Sequence, residues 1–227
     1  MQKILFLFSI GGSGQHAVMR WLCKQAEPAI YYNNCTICST EILHRNAIAE
    51  FVEDKAKNMR HNKCELQLDI EEYNLLIYNF INKSPSDHWD IETSFDKECL
   101  FSVVVRDHYN FVASRFSKGL KRNLEKMLDV WKKHILLCLE QPNNFIDINY
   151  NNWHSDKNYR ISLCERLNIP FTDAGFYDVP FVGETKFDDK EYNNRWERYT
   201  DNKRYSNIVN NKELVELSKK YFNFVIE

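Results

Sequence analysis

The sequence predicts an α/β domain of three layers, with a mostly parallel central sheet and helices on both faces. Residues 3–9 and 100–105 are continuous apolar segments, which are typical of strands buried on both faces of a parallel sheet. Such segments alternate along the chain with segments of helical periodicity, as parallel strands joined by crossover helices require. Because the 227 residues contain no internal repeat and no low-complexity linker, we expect a single domain over residues 1–227.

The predicted elements follow one another from the first strand onward. A strand at 3–9 is followed by a helix at 15–25 and a short strand at 29–32. Residues 40–58 are predicted to be helical, because apolar residues recur there at intervals of three and four. The apolar segment 75–80 fits either a strand or a helix. The later elements are a strand at 100–105, helices at 109–116 and 121–139, a strand at 145–149, and helices at 156–167 and 212–221.

The composition argues against several classes of protein. With 30 basic and 32 acidic residues, the formal net charge of -2 provides no positive field for nucleic acid. No segment approaches the roughly 18 consecutive apolar residues of a membrane-spanning helix. The seven cysteines are odd in number and lack the spacing of a disulfide framework or zinc site, so we expect reduced thiols and no metal. The apolar run 4–10 leads into glycines rather than a signal-peptide cleavage site, which predicts a cytoplasmic protein.

A glycine-rich segment follows the first predicted strand and precedes the first helix. A strand, a glycine-rich turn and a helix together offer backbone N–H groups and a helix N-terminus to a phosphate, as in P-loop proteins. In a Walker A loop, lysine and then serine or threonine would stand where Gln15 and His16 stand. An ATPase or ordinary kinase is therefore disfavoured, whereas a phosphate cradle is not. The candidate phosphate-binding residues are Gly11, Gly12, Ser13, Gly14, Gln15 and His16.

A second candidate anion-binding element follows the predicted strand 100–105. Arg106 comes directly after this strand, and Ser114 lies eight residues further along, in the next predicted helix. A guanidinium binds phosphate with two parallel hydrogen bonds. A hydroxyl near the N-terminus of the helix would add a donor at the positive end of the helix dipole. By themselves, Arg106 and Ser114 are therefore as compatible with a phosphate subsite as with a surface arginine and a serine on the helix surface.

Both elements, in this order, resemble the nucleotide-binding segments of sulfotransferases that use 3′-phosphoadenosine 5′-phosphosulfate (PAPS). Residues 13–14 match the Ser-Gly core of the family's 5′-phosphosulfate loop, and 101–116 is similar to its 3′-phosphate element. Residues 145–171 resemble the family's passage from a strand through Tyr-Glu-Asp-Leu to Leu-Gly-Ile-Pro-Phe. Residues 194–199 resemble its Gly-Arg-Trp segment. The resemblance extends over about 3–224.

This resemblance implies transfer of a sulfuryl group from PAPS to a hydroxyl or amine of a small-molecule or carbohydrate acceptor, without a metal. It implies that the glycine-rich loop holds the 5′-phosphosulfate. Arg106 and Ser114 would hold the 3′-phosphate, both of PAPS and of the product adenosine 3′,5′-bisphosphate. The segment 33–97 would shape the acceptor pocket. A lid at about 172–205 would close over the nucleotide through Arg195, or alternatively through Arg198, Lys203 or Arg204.

The catalytic groups are where this sequence departs from the family pattern. Gly12 stands where the family has a lysine or arginine that stabilises the leaving oxygen, and His16 is the candidate to replace that charge. Glu92 is the candidate general base, with Glu41, His44 and His88 as alternatives. Two rival functions are a nucleotide kinase with a degenerate P-loop, and a nucleotide- or glycan-binding module that has lost the chemistry on the same fold.

Overall fold

A central sheet of six strands organises the part of the chain that the computed structural model describes, which is residues 3–38, 41–46, 74–85, 98–117, 123–176 and 195–223. The strands are β1 (Lys3–Ser9), β2 (Ala29–Cys38), β3 (Glu41–Asn46), β4 (Leu75–Ile81), β5 (Glu98–Val105) and β6 (Phe145–Asn149). Their order across the sheet is β3-β2-β4-β1-β5-β6, and every neighbouring pair is parallel except β2 with β3. The predicted mostly parallel sheet is confirmed.

Helices cover both faces of this sheet, which gives the three predicted layers. In β1, Leu5 and Leu7 face one side and Phe6 and Phe8 the other, and all four side chains are fully buried. The helices are α1 (Gln15–Gln25), α2 (His108–Ser117), α3 (Leu124–Glu140), α4 (Tyr150–Ser155), α5 (Lys157–Leu167), α6 (Lys203–Val209) and α7 (Lys212–Phe222). The Leu5 side of the sheet packs against α1, α4 and α5, whereas the Phe6 side packs against α2, α3, α6 and α7.

The prediction of a helix over 40–58 is wrong for its first part. Glu41–Asn46 forms β3, which pairs with β2 in an antiparallel register that places Ile42 opposite Ile37. A short apolar pattern fits both periods, and pairing with a neighbouring strand decides between them. Residues 47–58 lie outside the described part of the chain.

The segment 75–80, which fitted either a strand or a helix, is a strand, and the proposed lid contains more regular structure than a loop. This strand, β4, lies within the proposed acceptor segment 33–97, between β2 and β1 near the middle of the sheet. The proposed lid 172–205 includes α6 and a 3-10 helix, Arg195–Tyr199. Residues 177–194 of this lid lie outside the described residues.

The first residues of the proposed lid are anchored to two helices. Gln25 of α1 accepts hydrogen bonds through its Oε1 from the backbone N–H groups of Thr172 and Asp173, both at 2.8 Å. Arg160 of α5 forms two hydrogen bonds to the Asp173 carboxylate, from Nε and Nη2, each at 2.8 Å. Its guanidinium also stacks 3.8 Å from the ring centroid of Phe176. Such a network makes residues 172–176 part of the domain surface rather than a free loop.

The strand order places the ends of β1 and β5 side by side. Ser9, the last residue of β1, lies opposite Val104 in the parallel register. From β1 the chain continues into α1 on one face, and from β5 it continues into α2 on the opposite face. A crevice opens where connections diverge in this way at the carboxyl edge of a sheet, and ligands bind there in open α/β sheets.

A buried histidine links α2 to the last two helices and predicts acid-sensitive stability. The His108 side chain is fully buried, its Nδ1 is hydrogen-bonded to Ser218 Oγ, and its Nε2 lies 2.8 Å from the Val209 carbonyl oxygen. Burial lowers the pKa of His108 and outweighs the opposing effects of the Val209 carbonyl and the Asp107 charge. The unfolded chain therefore binds a proton below about pH 6.5 that the folded chain resists.

We expect the buried, neutral His108 to give its full stabilisation at pH 7.5, and the free energy of unfolding to fall as the pH drops below about 6.5. One such histidine contributes a slope of at most about 1.4 kcal/mol per pH unit. Urea unfolding at pH 7.5, 6.5 and 5.5 measures this fall, and the His108→Gln variant should show a shallower one. Equal slopes for both proteins would show that His108 is not a source of the acid sensitivity.

Candidate anion-binding site

The glycine-rich loop is a tight turn that only glycine fits at two positions. It closes through a hydrogen bond from the Ser13 N–H to the Ile10 carbonyl oxygen, at 2.9 Å. Gly12 and Gly14 have φ values of 105° and 88°, in the left-handed region that other residues rarely adopt. Gly14 is the N-cap of α1, so the loop passes directly into the N-terminus of this helix.

The loop presents backbone donors at that helix N-terminus. Among the hydrogen bonds of the described residues, none uses the N–H of Gly12, Gly14 or Gln15. The side chain of Ser13 donates to Gln15 Oε1 at 3.3 Å, and both side chains are buried. His16 is half-buried as the second residue of α1. N–H groups without such a hydrogen bond, at the positive end of a helix dipole, are suited to bind an anion.

An asparagine after β4 holds the start of this loop in place. Asn82 accepts a hydrogen bond through Oδ1 from the Gly11 N–H at 3.1 Å and donates its own N–H to the Ser9 carbonyl oxygen at 2.7 Å. Inside the sheet, Ser9 Oγ donates to Asn79 Oδ1 at 2.7 Å. Sequence reasoning missed both asparagines. Their signal was two amides at the end of an otherwise apolar strand.

Tyr150 connects the loop to Arg106. A Cβ on Gly14 would lie only 2.1 Å from Tyr150 Cε2, so the ring packs directly on the glycine backbone. The Arg106 guanidinium carbon lies 5.0 Å from the centroid of the same ring. Tyr150 is the first residue of α4, which directly follows β6, the strand that pairs with β5. The sequence indicated this residue only as the tyrosine of a matched motif.

Arg106 is buried, and its charge acts on a neighbouring histidine. Arg106 is 2% exposed, and its carbonyl oxygen accepts a hydrogen bond from Trp131 Nε1 at 2.8 Å. Burial lowers the pKa of nearby His154, and the charges of Arg106 and Arg160 lower it further. A cation in low-dielectric surroundings interacts more strongly with an anion that reaches it than a solvated one would.

The carboxylate beside Arg106 serves the helix rather than the crevice. Asp107 is fully buried and accepts hydrogen bonds from the N–H of Asn110 at 2.8 Å and from the side-chain amides of Asn110 and Asn151, each at 2.9 Å. It therefore caps the first turn of α2. A magnesium-binding role, as a kinase reading would require, competes with these three donors.

Ser114 lies beside the loop, although not for the reason that the sequence suggested. It is the seventh residue of α2, so the expected help from the positive end of the helix dipole does not apply. Its side chain is 1% exposed, and its Oγ lies 3.1 Å from where a Cβ on Gly12 would be. The hydroxyl thus faces the loop across the crevice.

Arg115, which sequence reasoning missed, also reaches the loop. Its Nη1 donates a hydrogen bond to the Gly11 carbonyl oxygen at 3.1 Å. Its Cδ lies 3.4 Å from where a Cβ on Gly12 would be. The available signal was its place directly after Ser114 in a helix that follows a candidate phosphate-binding arginine.

The side chains of the other candidate catalytic residues and of Arg195 lie outside the described part of the structure. Glu92 and His88 lie outside the described residues, and for Glu41 and His44 only the backbone of β3 is described. Arg195 begins the 3-10 helix, whose Tyr199 packs edge-on against Phe116 of α2 at 5.8 Å, but the Arg195 side chain is not described.

Neither a metal-binding cluster nor a membrane-spanning helix is found among the described residues. They contain no group of three or more His, Cys, Asp or Glu side chains arranged to hold a metal ion. Nor does any helix in these ranges have the length and apolar character needed to cross a membrane.

Comparison with known proteins gives a likeness in structure only. No protein-family model matches the sequence, and no curated protein matches it either. Among solved structures, the sulfotransferase domain from the olefin synthase of Synechococcus PCC 7002 superposes with a TM-score of 0.57 at 14% sequence identity. The match covers 100% of this chain and 96% of that domain. The described part of the chain therefore has a fold like that of this sulfotransferase domain.

Proposed function

We propose that this protein is a sulfotransferase that uses PAPS as donor and a hydroxyl or amine of a small molecule or carbohydrate as acceptor. One observation carries the proposal: the glycine-rich loop and Arg106, the two candidate anion-binding elements, meet at the adjacent ends of β1 and β5, and the Tyr150 ring contacts both. The fold likeness supports it, because that domain has the same architecture along the full length of this chain.

The residues at the site fit the two anionic ends of such a nucleotide. The N–H groups of Gly12, Gly14 and Gln15 would hold the 5′-phosphosulfate, and the Tyr150 ring occupies the place where a Cβ on Gly14 would lie. Arg106 would bind the 3′-phosphate beside Tyr150. Ser114, whose Oγ faces Gly12, would bind the 3′-phosphate together with Arg106.

In the transfer that PAPS supports, the bond between sulfur and the bridging phosphate oxygen breaks, its electron pair stays on the phosphate, and the acceptor oxygen bonds to sulfur. Protein donors aimed at that bridging oxygen lower the barrier because charge develops there. His16, the second residue of α1, is the proposed donor to this bridging oxygen. Glu92 is the proposed base for the acceptor proton, and Arg195 is proposed to close over the nucleotide.

The environment of the cysteines supports a cytoplasmic location. The described cysteines Cys23, Cys35, Cys99, Cys138 and Cys164 are all free thiols. Burial raises the pKa of Cys35 to about 12 and raises that of Cys138 well above its usual value, so both are unreactive as thiolates. Free buried thiols are typical of proteins in a reducing compartment.

Calorimetric titration with adenosine 3′,5′-bisphosphate, 5′-AMP and ATP–magnesium tests the proposal. We expect micromolar binding of the bisphosphate, equivalent to about -8 kcal/mol, and much weaker binding of 5′-AMP, which lacks the 3′-phosphate. Preference for ATP–magnesium would favour the kinase alternative. Binding of the bisphosphate without sulfuryl transfer from PAPS to a panel of sugar and phenol acceptors would favour the binding module.

A further inference from the structure

We propose that Arg115 supplies the cationic side chain that the glycine-rich loop itself lacks, and that its guanidinium binds the anion held by this loop. The inference rests on the proposed function for the identity of that anion, the 5′-phosphosulfate, but the cation site itself rests on the geometry of Arg115. Since Arg115 lies on α2 and the loop follows β1, the charge reaches the loop from the opposite side of the crevice.

The course of the Arg115 side chain follows the loop backbone. Its Cδ lies 3.4 Å from where a Cβ on Gly12 would be, and its Nη1 lies 3.0 Å from the equivalent point on Gly11. Nη1 donates to the Gly11 carbonyl oxygen at 3.1 Å, which fixes the guanidinium beside the loop. This bond uses one of the five N–H groups of the side chain, and the planar fork can offer others to an anion.

A side chain at position 12 and the Arg115 side chain would compete for the same space. A side chain at Gly12 would meet Ser114 Oγ at 3.1 Å and Arg115 Cδ at 3.4 Å, and would have to adopt a φ of 105°. A lysine at position 12 would therefore have a strained backbone and would be crowded by Ser114 and Arg115. The missing charge at Gly12 does not by itself indicate lost chemistry, because the space is filled by another cation.

The surroundings of Arg115 are those of a charge that gains from an anionic partner. The side chain is half-buried, and its Nε is buried without a hydrogen bond among the described residues. Burial lowers the pKa of the guanidinium, which means that desolvation makes the charged form less favourable here. An anion in the loop would offset this cost through charge-assisted hydrogen bonds. Arg115 would remain protonated throughout and stabilise the charge that develops on the bridging oxygen.

The test compares wild type, Arg115→Met, Arg115→Lys and the control Lys220→Met, which removes the same charge from an exposed position on α7. Each protein is titrated with adenosine 3′,5′-bisphosphate and separately with inorganic pyrophosphate, after thermal unfolding has shown that it is folded. We expect Arg115→Met to weaken both ligands about 10- to 100-fold, Arg115→Lys to weaken them less, and Lys220→Met to change neither by more than about twofold.

The two ligands separate this inference from the proposed function. Tight binding of the bisphosphate by Arg115→Met, within about twofold of wild type, would overturn the role of Arg115 while the sulfotransferase proposal stands. Binding of pyrophosphate alone, with dependence on Arg115, would support the cation site and overturn the nucleotide donor. Binding of neither ligand by wild type would overturn both. If Arg115→Met does not fold, Arg115→Lys takes its place in the test. Its affinity for both ligands must then be lower than that of wild type for the inference to hold.

Discussion

Replacing Gly14 by alanine should destabilise this protein more than any other single methyl addition at a described glycine. The new Cβ would lie 2.1 Å from Tyr150 Cε2 and 2.4 Å from Tyr150 Cδ2, inside any allowed contact distance. Gly14 also has a φ of 88°, which costs a residue with a Cβ about 1 to 2 kcal/mol. Overpacking a rigid ring typically adds about 1 to 3 kcal/mol. We expect a loss of about 2 to 5 kcal/mol, measured by urea unfolding.

Gly175→Ala is the matched control for this substitution. Gly175 also has a positive φ, 75°, and its nearest neighbour is Lys24 Cγ at 2.8 Å, a longer contact than those of Gly14 with the Tyr150 ring. The control therefore carries the same kind of backbone cost with a smaller steric cost. If Gly14→Ala unfolds no more easily than Gly175→Ala, the contact between Tyr150 and the loop is not as close as described.

Replacing Arg106 by alanine should remove the preference for a 3′-phosphorylated nucleotide. A bidentate, charge-assisted contact in a buried site contributes about 2 to 3 kcal/mol, so adenosine 3′,5′-bisphosphate should bind about 30- to 150-fold more weakly. Binding of 5′-AMP should be nearly unchanged, because it presents no group to this arginine. The measured quantity is the ratio of the two affinities, in which any general loss of folded protein cancels.

Arg106→Lys serves as the control for charge without the planar fork. It keeps a cation beside Tyr150 and should recover part of the affinity, since an ammonium cannot form two parallel bonds. An equal loss of 5′-AMP and bisphosphate binding in Arg106→Ala would mean that Arg106 supports the site only by packing. The 3′-phosphate would then have to bind elsewhere.

Much of the fold could be predicted from local patterns. The apolar segments 3–9 and 145–149 are strands with the expected bounds, and α1 spans Gln15–Gln25 as expected. Strand β3 could not be predicted, because its six residues carry an ambiguous pattern and owe their conformation to pairing with β2. The same holds for β4, whose apolar run is identified as a strand only by its position between β2 and β1.

The candidate site divides in the same way. The sequence alone determined the glycine loop and Arg106, because a glycine-rich turn and an arginine each follow an apolar strand, and such signals are local. Only the tertiary structure decided that Tyr150 contacts both elements and that Asn82 and Arg115 hydrogen-bond to the loop. Asn82 follows β4, Arg115 lies in α2 and Tyr150 lies in α4, separated from the loop by about 70 to 140 residues. Such contacts depend on the order of strands in the sheet, and no local pattern encodes that order.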